Sequence, residues 1–190
     1  MSHNDGPGTT PLPATSPTGR DFLSQAMWLG LLSVAGYIAA VALPRPALHL
    51  GYVAVLAAVA FVDYRERRIP NAITYPAIAF ALGAALNSGD RAATLAAGGA
   101  TALLFLLPVL IYGPQRAGIG DVKLGLFVGL ILGLTPALFW SLFIAFGLAA
   151  VVGLAGLLAG RLGWRSTLPF GPYLACGALA GLVMASLGAQ

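Results

Sequence analysis

Charge is what this sequence has least of. Only 8% of its 190 residues are Asp, Glu, Lys or Arg, whereas a soluble domain carries about 25%. That is too little to coat a water-facing surface and excludes an ordinary cytosolic globule. Cysteine is nearly absent as well. Cys176 stands alone, so no internal disulfide is available, and His3 and His49 complete no Cys/His set for a structural zinc. No metal or cofactor is expected. The formal net charge of +4 would suggest an anionic partner in a soluble protein. Here it is spread over loops, so the expected partner is the lipid bilayer rather than a nucleic acid.

What the chain does have is apolar residues, 58% of the total, with a mean hydropathy of +0.87. They extend over nearly everything after position 21, so the whole body of the protein belongs in a membrane. Residues 1–20 are the exception. Pro7, Pro11, Pro13 and Pro17 among Gly, Ser and Thr preclude a continuous helix and point to a disordered tail. From Phe22 to Leu43 runs an apolar stretch of about 22 residues, roughly 33 Å of helix and enough to span a bilayer. It is longer than the 7–15 residues usual in a secretory signal, so an uncleaved first span is expected, with the small residues Ala39–Ala42 as the alternative cleavage region.

Six further apolar stretches follow, over about 48–62, 70–86, 92–112, 122–134, 137–159 and 169–188. The run from Val122 to Gly160 is about 39 residues, roughly 58 Å as one helix, nearly twice the hydrocarbon thickness. It must fold back, and Gly133-Leu134-Thr135-Pro136 is the expected break. The fold class is therefore all-α, a polytopic transmembrane helical bundle of about seven spans. If the tail is inside, Arg20, Arg65, Arg67, Arg68, Arg116, Lys123, Arg161 and Arg165 fall on the inner side, and only Arg45 and Arg91 fall outside. This positive-inside bias makes the N-terminus cytoplasmic.

Of the six acids, Asp5, Asp21, Glu66 and Asp90 lie in the tail, at a span edge or in loops. Asp63 closes the second span in Phe61-Val62-Asp63-Tyr64-Arg65-Glu66-Arg67-Arg68-Ile69-Pro70-Asn71. Asp121 opens the fifth in Gly118-Ile119-Gly120-Asp121-Val122-Lys123-Leu124. Two readings of each stand side by side. Asp121 is either a helix cap or a reactive carboxyl; Asp63 is either an interfacial acid paired with the neighbouring arginines or a reactive carboxyl. Both fall at the same membrane face from separate helices, and ionisable groups at membrane depth mark function. One sits in the negative field of a helix C-terminus and the other in the positive field of an N-terminus, an asymmetry that favours one protonated and one ionised carboxyl. An aspartyl protease needs that pair, the carboxylate to activate water and the acid to polarise the scissile carbonyl. Gly118 and Gly120 remove side chains beside Asp121, either for helix packing or to admit another backbone.

These segments, together with Pro169-Phe170-Gly171-Pro172-Tyr173-Leu174-Ala175, resemble the type IV prepilin peptidase family, membrane aspartyl proteases of the GxGD kind. The order and spacing agree over roughly residues 48–188. The resemblance implies that Asp63 and Asp121 are the catalytic pair, with Gly118, Gly120, Lys123, Pro70 and Asn71 as supporting motif residues. It implies an aspartic-type endopeptidase of the inner membrane, acting at the cytoplasmic face. Its substrate would be a prepilin or pseudopilin precursor with a short basic leader, processed for a type IV pilus or protein secretion. The expected organisation is a cytoplasmic tail at 1–20, an extra span at 21–47 and a six-span peptidase domain at 48–190. Larger members carry a cytoplasmic insert, often with paired cysteines, associated with N-methylation of the product; this sequence has neither, so N-methylation is not expected. Two rival readings are an archaeal-type preflagellin peptidase and a non-catalytic transport or assembly protein whose aspartates bind a cation or proton.

Overall fold

A computed structural model of the chain describes residues 31–39, 41–43, 45–113, 118–161, 163 and 168–188. The expected tail and the first part of the 21–47 span lie outside them. Among the described residues the fold is all helical: α1 at 31–39, α2 (Arg45–Glu66), α3 (Asn71–Ala85), α4 (Arg91–Tyr112), α5 (Ile119–Leu132), α6 (Pro136–Leu158) and α7 (Gly171–Gly188).

Local chemistry sets these boundaries. The α2 helix ends where Arg67 turns into left-handed backbone, φ 53°, its N–H closing on the Asp63 carbonyl at 2.8 Å. Pro70 is extended and starts α3; its carbonyl accepts from the Thr74 backbone N–H and hydroxyl, both at 3.1 Å. Asp90 caps α4, its side chain accepting from the Ala93 N–H at 3.0 Å. The expected break between the fifth and sixth spans is present. Gly133, at φ 64°, ends α5 in a conformation suited to glycine, and Pro136 opens α6 at its first turn.

Ala47–Glu66 of α2, and α4, α6 and α7, are long and apolar enough to cross a membrane. The α3 and α5 helices have 15 and 14 residues, about 22 and 21 Å of helix, short of the roughly 30 Å hydrocarbon core. The expectation of about seven spans thus resolves into seven helices of unequal length among the described residues. Pro70 fixes the late start of α3, and Gly133 the early end of α5. Large apolar side chains line the outside, including Leu103, Leu107, Leu110 and Ile111 of α4 and Phe139, Phe143 and Val151 of α6. Such a surface suits lipid, and the helices satisfy most of their backbone polar groups internally.

The centre of the bundle is α5. Leu124, Gly125, Phe127, Val128, Gly129, Leu130 and Leu132 are all buried, as expected of a helix that is apolar all round. It packs on α3, α4, α6 and α7. Leu56 and Val59 of α2 and Leu174 of α7 complete the core, and the Tyr52 ring meets Phe80 and Phe127 edge-on at 6.5 and 5.9 Å. The α4–α5 approach depends on glycine: a Cβ on Gly129 would lie 2.5 Å from the Ala97 carbonyl oxygen and 2.7 Å from Gly98 Cα. Gly36 of α1 and Gly83 of α3 likewise meet backbone directly across their crossing.

The close contacts also orient the helices. Gly129 lies against Ala97 and Gly125 against Thr101 and Phe105, so α4 and α5 are antiparallel; Gly177 against Ser141 and Gly181 against Ala137 show the same for α6 and α7. The C-terminal ends of α2, α4 and α6 therefore gather with the N-terminal ends of α3, α5 and α7 at one end of the bundle. Cys176, the lone cysteine, is exposed on α7.

Replacing Gly129 with valine is expected to destabilise the detergent-solubilised protein by about 1–3 kcal/mol, the cost of overpacking. Gly99→Ala, whose added Cβ meets nothing within 4 Å, is expected to leave stability equal or slightly higher. Thermal unfolding of both variants checks this.

Candidate active site

Asp63 and Asp121 come to the same end of the bundle from different helices, the first in the last turn of α2 and the second in the first turn of α5. Asp63 is 4% exposed and Asp121 partly buried, and the two carboxyls lie within electrostatic reach of each other. The sequence could not say whether these helix ends met. They meet because α7 packs on both α2 and α5.

The alternative roles left open for the two acids find no support in the geometry. Asp121 is not the cap of α5. That position belongs to Gly118, with no side-chain cap bond, and Asp121 sits within the first helical turn. Asp63 is not held by the arginines that follow it. Among the described residues the ion pair at this end joins Arg68 to Glu66 at 3.3 Å, both exposed. Asp63 instead accepts a hydrogen bond at 2.9 Å from the backbone N–H of Gly171, 108 residues away in the chain. A buried carboxyl without such a donor is costly, and this donor comes from the first residue of α7.

The supporting motif residues gather around the pair. Lys123, one turn from the start of α5, donates to Asn71 Oδ1 at 2.6 Å, and its ammonium lies 4.5 Å from the centre of the Tyr75 ring. It therefore pins the N-terminus of α5 to that of α3, whose start Pro70 sets. Gly118 leaves room for the Asp121 carboxyl, since a Cβ there would lie 2.9 Å from Asp121 Oδ2. A Cβ on Gly120 would lie 2.8 Å from the Ile69 Cβ. In this conformation the space freed by both glycines is taken by the protein itself, by Asp121 and Ile69, and not by a second backbone.

Gly171 is the residue that reasoning from the sequence did not place in the site. A Cβ there would lie 2.5 Å from Asp63 Oδ2, so only glycine lets this backbone come so near the carboxyl. The visible signal was the Pro-Phe-Gly-Pro string at the head of the last apolar stretch, one of the segments that carry the resemblance. Beside it, Tyr64, Arg67, Leu168, Pro169, Pro172 and Tyr173 line a cavity of about 530 Å³. Among the described residues, no group of three or more His, Cys, Asp or Glu side chains comes together as a metal site would require.

Comparison with known proteins points to one family. The family model described as "Type IV leader peptidase family" matches residues 50–158, a stretch that holds both aspartates, Asn71 and Lys123. A prepilin leader peptidase/N-methyltransferase of Bacillus subtilis is 34% identical over 132 residues, 67% of this chain and 52% of that protein. One of Burkholderia pseudomallei is 34% identical over 140 residues, 70% of this chain and 44% of that protein. The chain thus spans about half the length of the curated relatives it matches. No solved structure matches it.

The Lys123–Asn71 contact is expected to show a coupling of about 1 kcal/mol, at the low end for a charge-assisted bond because the pair is solvent-accessible. A double-mutant cycle of Lys123→Met and Asn71→Ala, read by unfolding in detergent, measures it; additive effects would show that the contact does not hold the two helix ends together.

Proposed function

Because the chain belongs to the type IV leader peptidase family, we propose that it is an aspartic endopeptidase that removes the leader of prepilin-like or pseudopilin precursors. The observation that carries this reading is the pairing of Asp63 and Asp121, two carboxyls from separate helices held within electrostatic reach at one end of a membrane bundle. In the proposed reaction the ionised member of the pair takes a proton from water as its oxygen attacks the scissile carbonyl carbon. The protonated member hydrogen-bonds to the carbonyl oxygen as negative charge gathers there. Collapse of the tetrahedral intermediate breaks the C–N bond, and the leaving amine takes up a proton from the dyad. Lys123, Asn71 and Pro70 set the position of the α3 and α5 ends and do not take part in bond making.

The distribution of charge supports cleavage at the cytoplasmic face of the inner membrane. Arg65, Arg67, Arg68, Lys123 and Arg161 lie at the end of the bundle that carries the aspartates, and Arg45 and Arg91 begin α2 and α4 at the other end. By the positive-inside rule the first end is cytoplasmic. A precursor with its leader in the cytoplasm and its apolar helix in the bilayer would present the junction at that depth. We assign residues 48–190 as the peptidase domain, with 21–47 an added span and 1–20 a cytoplasmic tail.

Coexpression with a prepilin-like precursor tests the reading. Wild type is expected to release the leader, seen as a mobility shift or by mass spectrometry of the product, and Asp63→Asn and Asp121→Asn are each expected to lose cleavage to background while still inserting in the membrane. Failure of wild type on every candidate precursor, or cleavage by Asp121→Ala, would count against it.

A further inference from the structure

The donor that meets Asp63 belongs to a segment whose position is set by aromatic rings, and those rings rest on the helix that carries Asp121. Phe170, directly before Gly171, has its ring centre 5.4 Å from that of Phe105 on α4, 5.3 Å from that of Phe146 on α6 and 6.4 Å from that of Tyr173. Phe105 and Phe146 are themselves stacked, 5.7 Å apart with 16° between their planes. Offset-stacked and tilted rings at these separations are favoured arrangements, so Phe170 is gripped from two helices. Phe105, 7% exposed, reaches this position over Gly125 of α5, where a Cβ would lie 2.5 Å from Phe105 Cδ2. Gly125 is four residues, about one turn, beyond Asp121.

We propose that Phe170 is a positioning residue, clamped by Phe105 and Phe146 against α5 so that the N–H of Gly171 is held on Asp63 Oδ2. This rests on the reading of Asp63 and Asp121 as the catalytic pair. The argument is one of degrees of freedom. A carboxyl in the last turn of a helix rotates about its side-chain bonds, and a single donor on one oxygen fixes its plane. With Oδ2 engaged by Gly171, Oδ1 is the oxygen left to face water or the scissile peptide. The donor is a backbone group in the segment that enters α7, and its direction follows the backbone angles between residues 170 and 171. Anchoring the ring of residue 170 on both sides sets those angles. Since the anchor stands on α5, the same contacts relate the plane of Asp63 to the helix that carries Asp121, and reactions of this kind are sensitive to such placement at the ångström level.

The test uses the full chain purified in detergent, with a prepilin-like precursor as substrate and kcat and KM determined separately. Phe170→Ala is expected to lower kcat roughly ten- to a hundred-fold, with KM within about twofold of wild type and an altered pH–rate profile. Phe170→Tyr, which keeps the ring, is expected to restore most of the rate. Phe146→Ala removes a clamp ring that is 44% exposed and reads the same link should Phe170→Ala not fold; a smaller loss in kcat is expected. Unchanged kcat in the alanine variants, or a loss matched by the loss of folded protein and not restored by Phe170→Tyr, would overturn the proposal. Asp63→Asn separates it from the reading beneath it. If Asp63→Asn cleaves like wild type, the dyad assignment fails; if it is inactive while the Phe170 and Phe146 variants keep their full kcat, the dyad stands and the clamp is wrong.

Discussion

A carboxyl buried among apolar helices must find a donor, and most of the working end of this protein is arranged around how Asp63 finds one. At 4% exposure water hydrates it poorly, and the arginines that follow it form no ion pair with it among the described residues. The hydrogen bond from Gly171 meets the need. A hydrogen bond of this kind is worth about 1 kcal/mol or more and costs more to leave unmade. Because it joins the end of α2 to the start of α7, the bond fixes where the last helix enters the bundle.

The second constraint is that α5 occupies the centre. A helix that is apolar on every side has no solvent face, so it is enclosed by its neighbours, and at 14 residues it is short enough for the others to surround it. Close enclosure requires small residues. Gly125 and Gly129 face α4 and bring Phe105 and Ala97 into direct contact with the backbone of α5. Without lipid-excluding force between helices, such packing is the main source of association in a membrane. The enclosure begins at Leu124 and leaves Asp121 partly buried at its rim. At that rim Lys123 bonds Asn71 on the neighbouring helix.

Much of this was readable along the chain. Proline and glycine punctuate it so clearly that each boundary from α2 to α7 falls within a few residues of its expected place, and the Gly133–Pro136 break is found as expected. The order of the motifs resembles that of the family to which the chain belongs. Gly120 shows where such reading stops. A glycine beside a reactive carboxyl suggests room for an incoming peptide, and only the position of Ile69, fifty-one residues earlier in the sequence, shows that the room is taken. Gly171 shows the converse, since its Pro-Phe-Gly-Pro setting gives no sign by itself that the backbone N–H of Gly171 donates to Asp63.

By itself, then, the sequence determined the solvent, the helices and where along them the few carboxyls stand, because these depend on composition and on local backbone rules acting over a few residues. Tertiary structure decided which oxygen of Asp63 is held and by what, which helix is central, and that rings from α4, α6 and the entry to α7 meet above α5. Those outcomes depend on contacts between residues 20 to 108 positions apart. No local preference encodes such contacts, and they exist only once the helices have packed.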